Sequence, residues 1–266
     1  MLVDILGVKV NNMSYSNTLN EIRSYFSLNN KEYIVTANPE IILHALNDVK
    51  YQEIVNKASL VTADGIGILW AAKFLKLKSN SYIKSIFQII YTGVLLIINP
   101  KYFTNIFPER ITGVDLMQKI CKEANKNSWK IYLLGGEEGV AKKTASKLQR
   151  RYKDLKIVGF EQEPDNKTIN RINESKVDIL FVAFGAPKQE FWIDKNLNDL
   201  NIKLAMGVGG AFDFISGKAK RAPQIYLDLN IEWLFRLINE PWRFIRIFNA
   251  TFRFIYIITK FKHQMK

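Results

Sequence analysis

The sequence predicts an α/β fold: a doubly wound domain with a mostly parallel sheet, followed by a C-terminal helical appendage that associates with a membrane. Short apolar runs alternate with amphipathic helical patterns along most of the chain, as in parallel strands joined by helices. Several runs end in glycine or Asn-Pro turns, which are typical of the ligand-binding edge of such a sheet. From residue 226 to residue 266 aromatic and basic residues interleave instead. We therefore divide the chain into an α/β domain, residues 1–225, and an appendage, residues 226–266.

The predicted elements begin with a single strand in residues 1–13, whose apolar run contains Asp4 and lacks the basic start of a signal peptide. Asn38, Pro39 and Glu40 form a strong helix start, because Asn caps a helix, Pro fits its first position and Glu favours its positive end. Further strands are predicted over residues 33–36, 60–63, 130–134, 156–160, 179–184 and 204–208, and helices over residues 16–26, 39–46, 68–75, 112–125, 140–152, 166–175 and from 187 onward.

Two strands that end in small-residue turns organise the predicted site. The run from Ile179 to Phe184 is continuously apolar, as expected of a parallel strand covered on both faces. It stops at Gly185, and the later strand breaks into Gly209-Gly210, a turn that lets backbone amides approach a ligand. Because ligands of open parallel sheets bind beyond the carboxyl ends of the strands, we expect both turns to line one crevice.

Composition limits the class of protein but does not decide it. At 266 residues and 48% hydrophobic content, the chain is long enough for one domain with a full core. A net charge of +13 favours phosphates, nucleic acid or an anionic membrane as partners, although a generally lysine-rich composition gives the same value. Cys121 is the only cysteine, which excludes an intrachain disulfide and favours a reducing compartment. With only His44 and His263 besides, we expect no His/Cys metal site.

Residues 79–108 interrupt the alternation and are interpreted as an apolar helical insertion. The stretch from Ile86 to Ile98 has no charged residue, yet it is shorter than the ~18–20 apolar residues that a spanning helix needs. Such a helix either lies at a membrane interface, or packs on the domain, or packs on a second subunit as an oligomer contact. The six apolar residues predicted to share one side of it are Ile83, Ile86, Phe87, Ile90, Val94 and Ile97.

The appendage combines aromatic, aliphatic and basic residues on helical patterns, and Pro241 marks a new helix start within it. This composition is typical of a membrane-surface element. Nucleic acid is the competing partner, but RNA-binding surfaces rarely carry so many Ile and Leu residues beside the aromatics. We therefore expect a membrane surface and no nucleic acid.

Asp64 is the candidate general base, because it follows a predicted strand, precedes a Gly-Ile-Gly turn and can accept a proton from a sugar hydroxyl. A lone Asp at such a position more often caps the next helix. Thr36 and Asn38 end a neighbouring strand and offer a hydroxyl and an amide to a sugar, although Asn38 is also a helix cap. Gln189, one turn into its helix, points either into the crevice or into solvent.

Four arginines, Arg110, Arg236, Arg243 and Arg246, are candidates for holding a diphosphate, since guanidinium groups match phosphate oxygens. The alternative for any one of them is a solvated face. Spacings of seven and three put the last three on one helical side if the helix continues, but Pro241 bends it. The chain has no Asp-x-Asp sequence, so we expect no metal and no cofactor, with arginines stabilising the leaving group.

The glycine turns are also candidates for substrate binding. Gly135 and Gly136 end one strand, and Gly207, Gly209 and Gly210 end another. The second group resembles half of a dinucleotide fingerprint, but its spacing departs from G-x-G-x-x-G. These residues by themselves indicate a nucleotide- or phosphate-binding α/β enzyme. Two other classes stay open: an NAD(P)-type oxidoreductase and a non-enzymatic peripheral membrane module.

Seven motifs taken together resemble the WecG/TagA/CpsF family of glycosyltransferases. The resemblance covers nearly the whole chain, and seven motifs in one order are improbable by chance. The motifs are TANPEII (36–42), ADGIGI (63–68), ERITGVDL (109–116), LLGG (133–136), FGAPKQEFW (184–192), GVGGAFDFISGKAKRAP (207–223) and EWLFRLINEPWRF (232–244).

The resemblance implies a metal-independent, inverting transferase with a Rossmann-like core, working as a peripheral protein on the cytoplasmic face of the cell membrane. It implies a UDP-sugar donor and a polyprenyl-diphosphate-linked sugar as acceptor. In the Gram-positive branch N-acetylmannosamine is added to N-acetylglucosaminyl-diphospho-undecaprenol in teichoic acid synthesis. Other members transfer N-acetylmannosaminuronic acid, glucose or glucuronic acid, so the sequence leaves the donor open.

The same resemblance assigns roles to the candidate residues. Asp64 is then the base, Thr36, Asn38 and Gln189 surround the donor sugar, and Arg110 faces the diphosphate. The three arginines of the appendage are expected to close over the site at the membrane. Residues 79–108 depart from the family, which usually has a short loop between its second and third motifs.

Overall fold

The structure, a computed structural model, describes residues 1–27, 30–79 and 81–264. It contains a six-stranded sheet whose neighbouring strands are all parallel, which confirms the predicted α/β class. Two further strands form a separate antiparallel hairpin. The strands are β1 (Leu2–Ile5), β2 (Val8–Asn11), β3 (Glu32–Ala37), β4 (Leu60–Ala63), β5 (Lys130–Gly135), β6 (Lys156–Glu161), β7 (Ile179–Ala183) and β8 (Leu204–Gly207), and the large sheet has the order β4-β3-β8-β7-β5-β6.

The N-terminal region differs from the single strand predicted over residues 1–13. The chain reverses at Leu6 and Gly7, whose φ angles are 54° and 86°, so β1 pairs with β2 outside the main sheet. Two successive residues with positive φ form the kind of two-residue turn that joins antiparallel strands. Asp4 supports the turn, because its Oδ1 accepts a hydrogen bond of 2.9 Å from the Gly7 N–H.

Helices cover both faces of the large sheet, as a doubly wound fold requires. One face is packed by α2, α3, α4, α9 and α14 together with the β1–β2 hairpin, and the other by α1, α6, α7 and α10. The helices are α1 (Tyr15–Tyr25), α2 (Pro39–Asn47), α3 (Val49–Lys57), α4 (Ile66–Lys76), α5 (Tyr82–Ile98), α6 (Gly113–Asn127), α7 (Val140–Arg151), α8 (Thr168–Glu174), α9 (Lys188–Asn196), α10 (Ala211–Ser216), α11 (Gln224–Asp228), α12 (Glu232–Asn239), α13 (Phe244–Phe248) and α14 (Phe254–Gln264).

Helix α3 is one of the elements that the sequence patterns missed, as is the short helix α10. Helix α3 follows α2 after a single residue, Asp48, whose Oδ1 caps the new helix by accepting a hydrogen bond of 3.1 Å from the Tyr51 N–H. Asp at this position both ends one helix and starts the next, and the periodicity of two short adjoining helices is hard to separate.

The predicted insertion is a helix. Helix α5 takes up Tyr82–Ile98, and a 3₁₀ turn, Pro100–Phe103, follows it. Across the described parts of the chain, no helix has both the length and the apolar character needed to cross a membrane.

The appendage is a series of short helices rather than one long helix. Helix α12 ends at Asn239, a 3₁₀ turn spans Pro241–Arg243, and α13, a π-helical segment (Asn249–Arg253) and α14 then follow without a break. Its last helix packs into the core of the α/β domain, since Phe254 and Ile258 are 1% and 0% exposed. A domain boundary at residue 225 stays a prediction, but α14 shares its hydrophobic core with the sheet.

Candidate active site

Asp64 lies directly after β4, at the carboxyl edge of the sheet, and is partly exposed. Its backbone N–H donates to the carbonyl oxygen of Ala37 at 2.8 Å, which ties the end of β4 to the end of β3. Its Oδ2 accepts a hydrogen bond of 3.0 Å from the N–H of Gly113, the first residue of α6. It is not the cap of the helix that follows it, because the N-cap of α4 is Gly65 and makes no side-chain bond. The carboxylate is held at the crevice by α6 instead.

The surroundings of Asp64 change its acidity. Burial raises the pKa of its carboxyl group to about 6, against the opposing effects of the Gly113 N–H and the positive charges of Arg110 and Arg236. The negative charge of Glu232 also raises the pKa. A carboxylate with such a pKa is mostly ionised at neutral pH, yet it is a stronger base than an ordinary Asp.

Thr36 and Asn38 lie beside Asp64, because β3 and β4 pair in register with Ala37 opposite Ala63. Thr36 is 7% exposed, and its Oγ1 lies close to Gly113: a Cβ at Gly113 would be 3.1 Å from it and 3.4 Å from Asp64 Oδ2. Asn38 is the N-cap of α2, with its Oδ1 accepting a hydrogen bond of 3.0 Å from the Ile41 N–H. The capping role considered for Asn38 is therefore present, and it engages the Oδ1 atom of the side chain.

Arg110 lines a cleft of about 400 Å³ next to Asp64. Its polar lining also includes Asp115, Arg221, Gln224 and Asp228, which the sequence patterns did not single out. The Arg221 guanidinium bonds Asp115 Oδ2 at 2.6 Å, and the Thr112 hydroxyl donates to the same oxygen at 2.7 Å. Burial alone would raise the pKa of Asp115, but the Arg221 hydrogen bond and the Thr112 hydroxyl bring it below the usual value. Asp115 and Arg221 stand in the quoted motifs, but their pairing across 106 residues has no local sequence signal.

A second cleft, of about 580 Å³, shares Arg221 with the first. Its wall also carries three further cations, Lys147, Arg150 and Arg151, and the ring of Phe214. Two adjoining clefts with several cationic side chains offer sites for phosphate groups, because guanidinium and ammonium groups bind phosphate oxygens strongly.

Gln189 points neither into the crevice nor into solvent. It is 3% exposed, and its Oε1 accepts a hydrogen bond of 2.9 Å from the Gly209 N–H, which fixes the turn after β8. Its Nε2 donates to Glu190 Oε1 at 2.7 Å, and the Tyr51 hydroxyl donates to Glu190 Oε2 at 3.0 Å. Burial raises the pKa of Glu190, which is fully enclosed. Gln189 thus supports the glycine turn from below, and Glu190, which the sequence did not single out, orients it.

The five candidate glycines lie at the ends of two strands on the carboxyl edge. Gly135 ends β5 and Gly136 follows it, whereas Gly207 ends β8 and Gly209 and Gly210 form the turn before α10. A Cβ at Gly207 would lie 2.7 Å from Gln189 Nε2, and one at Gly135 would lie 2.8 Å from the Ala183 backbone. Gly135 allows close packing of β5 on β7, and Gly207 allows the Gln189 side chain of α9 to pack against β8, whereas Gly209 has φ +48° and open space around it.

The three appendage arginines lie in different elements, because the chain breaks at Glu240 and Pro241. Arg236 is in α12 and bonds Glu232 at 2.6 Å, Arg243 ends the 3₁₀ turn and pairs with Glu240, and Arg246 is in α13. They do not form one helical side.

The same arginines nevertheless reach separate points of the carboxyl edge. Arg236 influences the pKa of Asp64, and Arg243 influences that of Asp213, which follows the β8 turn. Arg246 donates from Nε to Glu40 Oε2 at 2.9 Å, at the start of α2. The appendage therefore crosses the edge from the end of β3 to the end of β8.

A parallel α/β sheet with a carboxylate and arginines at its carboxyl edge is an arrangement suited to binding a phosphorylated ligand. Comparison with known families is more specific: the chain belongs to the glycosyl transferase WecG/TagA/CpsF family, whose model matches residues 3–86 and 77–266. The two matched segments overlap at the start of α5. The protein is a glycosyltransferase, and the resemblance seen in the motifs is confirmed.

Curated relatives give the same result. The chain is 34% identical over 269 residues to the N-acetylglucosaminyldiphosphoundecaprenol N-acetyl-beta-D-mannosaminyltransferase of Staphylococcus aureus strain MRSA252, covering 99% of this chain and 94% of the relative. The enzymes of the same name from strains MW2 and NCTC 8325 / PS 47 match at the same identity and coverage. Within the described residues, no group of three or more His, Cys, Asp or Glu side chains is arranged to hold a metal ion.

Proposed function

We propose that this protein transfers N-acetylmannosamine from a UDP donor to a polyprenyl-diphosphate-linked N-acetylglucosamine, with inversion at the anomeric carbon. The main observation that supports this proposal is the setting of Asp64. It is a carboxylate of raised pKa at the carboxyl edge, close to Thr36 and to a cleft lined by Arg110. The activity for which the Staphylococcus aureus relatives are named supports the sugar and the lipid-linked acceptor.

In the proposed reaction an acceptor sugar hydroxyl attacks the anomeric carbon of the donor. Asp64 takes the proton of that hydroxyl as the new C–O bond forms. The bond between the anomeric carbon and the diphosphate oxygen breaks, and UDP leaves with the bonding electron pair. In this proposal the guanidinium groups of Arg110, Arg221 and Arg236 stabilise the charge on the departing diphosphate, and no other reactant is needed. Two observations support it: Arg110 and Arg221 line one cleft, and the charges of Arg110 and Arg236 act on Asp64.

Gln189 has a different role in this proposal from the one the resemblance implies. Because it is buried and bonded to the Gly209 N–H, it acts on the donor through the turn after β8 rather than by touching the sugar. Since the Gly209 N–H is bonded to Gln189, the turn presents the backbone amide of Gly210 at the crevice, as glycine turns at a sheet edge do for phosphates.

The protein is further proposed to work at the inner face of the cell membrane as a peripheral protein, because a polyprenyl-diphosphate acceptor is anchored there. The exposed aromatic and aliphatic side chains of the appendage support this location: Trp242 is 76% exposed and Ile245 is 73% exposed.

The deciding experiment measures UDP release from a panel of UDP sugars, with and without a short-chain prenyl-diphospho-N-acetylglucosamine acceptor. The panel holds N-acetylmannosamine, N-acetylmannosaminuronate, glucose and glucuronate donors. We expect acceptor-dependent release from UDP-N-acetylmannosamine alone. Release from a different donor would keep the family mechanism and replace the sugar. Absence of release from every donor, with vesicle binding retained, would favour the non-enzymatic membrane module.

A further inference from the structure

Helix α5 has one side attached to the protein and one side with no covering among the described residues. On the attached side, Ser85 and Thr92 are fully buried, and the Trp70 indole N–H of α4 donates to Thr92 Oγ1 at 2.9 Å. The other side, called here the α5 outer face, consists of large apolar side chains that are each at least 44% exposed. Its members are the six predicted from periodicity: Ile83, Ile86, Phe87, Ile90, Val94 and Ile97.

Both ends of α5 are fixed to the appendage, so the outer face has a defined orientation. Near its start, Tyr82 stacks on His263 with ring centroids 4.0 Å apart, and Ser85 Oγ lies 2.9 Å from His263 Nε2. Near its end, the Asn230 side chain donates to the Leu96 carbonyl oxygen at 2.9 Å. The helix and the appendage therefore form one continuous surface.

Charge is distributed unevenly along the chain, and the excess falls on these two regions. Residues 65–108 and 241–266 contain eleven Lys or Arg residues and no Asp or Glu. All other residues together contain 27 basic and 25 acidic side chains and are close to neutral. Nearly the whole net charge of +13 thus belongs to the segments that carry the α5 outer face and the exposed part of the appendage.

We propose that the α5 outer face inserts into the headgroup boundary of an anionic lipid bilayer, with α5 lying parallel to the membrane plane. An apolar stripe on a segment that contains Lys residues and no Asp or Glu complements such a surface, because the apolar side chains enter the acyl boundary while Lys and Arg contact lipid phosphates. A second copy of the chain is a poorer match. A two-fold symmetric contact places equal surfaces together, so the positive charges of both copies would repel each other.

Docking of α5 also sets the position of the active site over the lipid. Helix α5 packs on α4 through the bond between Trp70 and Thr92, and α4 begins two residues after Asp64. A helix that lies on the bilayer and is bonded to α4 holds the Asp64 crevice at a fixed height above the headgroups. This inference rests on the proposed function for the lipid-linked acceptor, although binding to vesicles is measured without any sugar.

The first test follows the depth of one residue in the bilayer. Cys121 is the only cysteine and is fully buried, so an Ile90→Cys variant labels selectively with an environment-sensitive fluorophore. On phosphatidylglycerol vesicles we expect a blue shift and quenching by lipids that carry a quencher on the acyl chain. Phe160→Cys is the matched control, because Phe160 is 45% exposed on β6, at the opposite edge of the sheet from β4. An Ile90 label that stays in water while the protein is bound would overturn the proposal.

The second test removes the face. The variant Ile86→Ser/Phe87→Ser/Ile90→Ser should bind phosphatidylglycerol vesicles about tenfold or more weakly than the unsubstituted chain. The reason is that three apolar side chains that would enter the bilayer are lost. Val158→Ser/Phe160→Ser should bind normally. Unchanged vesicle binding by the triple variant would contradict the proposal, as would a dimer of the unsubstituted chain that the triple substitution dissociates in sedimentation.

Transfer to a water-soluble short-chain acceptor separates this inference from the proposed function. The triple variant should keep that activity while losing transfer to a long-chain acceptor embedded in vesicles. If no donor supports transfer but the Ile90 label still enters the bilayer, the proposed reaction is wrong and the docking surface stands. If transfer is normal on both acceptors in the triple variant, the docking surface is wrong and the reaction stands.

Discussion

The carboxyl edge of the sheet and the surface formed by α5 and the appendage distribute charge and apolar area in opposite ways. At the edge, carboxylates are partly or fully withdrawn from water: Glu190 is fully buried, and partial burial raises the pKa of Asp64 to about 6. On the surface, large apolar side chains are exposed, with Phe87 at 68% and Trp242 at 76%. Folded proteins usually enclose apolar groups and expose charged ones, so both regions depart from the arrangement that stability favours.

The withdrawn carboxylates and the exposed apolar side chains differ in whether other groups of the chain contact them. Glu190 receives hydrogen bonds from Gln189 and Tyr51, and Asp64 receives one from Gly113, so the enclosed carboxylates have their partners within the chain. The exposed apolar side chains have no such cover among the described residues. An enclosed and compensated carboxylate is suited to chemistry that needs fixed geometry, whereas an uncovered apolar face is suited to an external partner.

The largest expected effect comes from removing the carboxylate at the edge. Asp64→Asn should lower turnover by about 10²–10⁴-fold, because the amide cannot accept the acceptor proton, while UDP affinity is kept. Steady-state rates with the short-chain acceptor, together with UDP binding by calorimetry, measure both. Asp48→Asn is the control, since Asn also caps α3 and the site is untouched. Near-normal turnover in Asp64→Asn would remove this residue from the mechanism.

The raised pKa of Asp64 predicts a pH dependence with a definite sign. Because the base must be ionised, kcat/KM should fall about tenfold per pH unit below about 6 and level off above it. Stability changes in the opposite direction: the folded-state pKa lies above the ordinary value of 3.8, so this contribution is full below that value and is lost as the pH rises through about 6. Rates and thermal unfolding between pH 5 and 8 test it. In Asp64→Asn, the stability part of this dependence should disappear.

A smaller effect is expected from crowding the same edge. A Cβ in Gly113→Ala would lie 3.1 Å from Thr36 Oγ1 and 3.4 Å from Asp64 Oδ2, so one of these groups must shift by a few tenths of an ångström. We expect kcat/KM to fall roughly tenfold with little change in melting temperature, since Ala favours a helix more than Gly does. Gly93→Ala on α5 is the matched control, because nothing lies within 4 Å of the added atom. Equal rates in both variants would show that the edge tolerates displacement.

The smallest effect on chemistry is expected on the appendage. Trp242→Ser/Ile245→Ser should leave transfer to a short-chain acceptor unchanged and reduce transfer to a vesicle-embedded acceptor severalfold. By contrast, Phe254→Ala should lower the free energy of unfolding by about 3–5 kcal/mol, because Phe254 is 1% exposed within the core. Denaturant unfolding and the two transfer assays separate the cases. A large loss of stability in Trp242→Ser/Ile245→Ser would mean that these side chains pack internally.

The appendage has both exposed side chains and side chains buried in the core of the domain, so removing it has two effects at once. Deletion of the residues after Ile225 is expected to abolish transfer to the lipid acceptor and to weaken vesicle binding. The deletion also removes Phe254, Ile258 and the bond of 2.7 Å from Lys262 Nζ to the Phe74 carbonyl oxygen. Point substitutions on the exposed side are therefore the cleaner test of membrane contact.

The sequence by itself determined the α/β class, the six strands of the sheet to within one or two residues, and the family. Apolar runs, turn residues and motifs are local signals, and parallel strands covered on both faces leave a strong one. The apolar side of α5 was also predictable, because helical periodicity alone places its members together. Asp64 was identified as a candidate because a strand end followed by glycine is visible in the chain.

Only the tertiary structure decided what those residues contact. It assigned Asp64 to the N-terminus of α6 rather than α4, buried Gln189 beneath the Gly209 turn, and paired Asp115 with Arg221 across 106 residues. It also divided the appendage at Pro241, so that Arg236, Arg243 and Arg246 reach different points of the sheet edge. The reason is physical: local patterns fix where a strand or helix begins and ends, whereas long-range contacts depend on how separate elements pack, which no short stretch of sequence encodes.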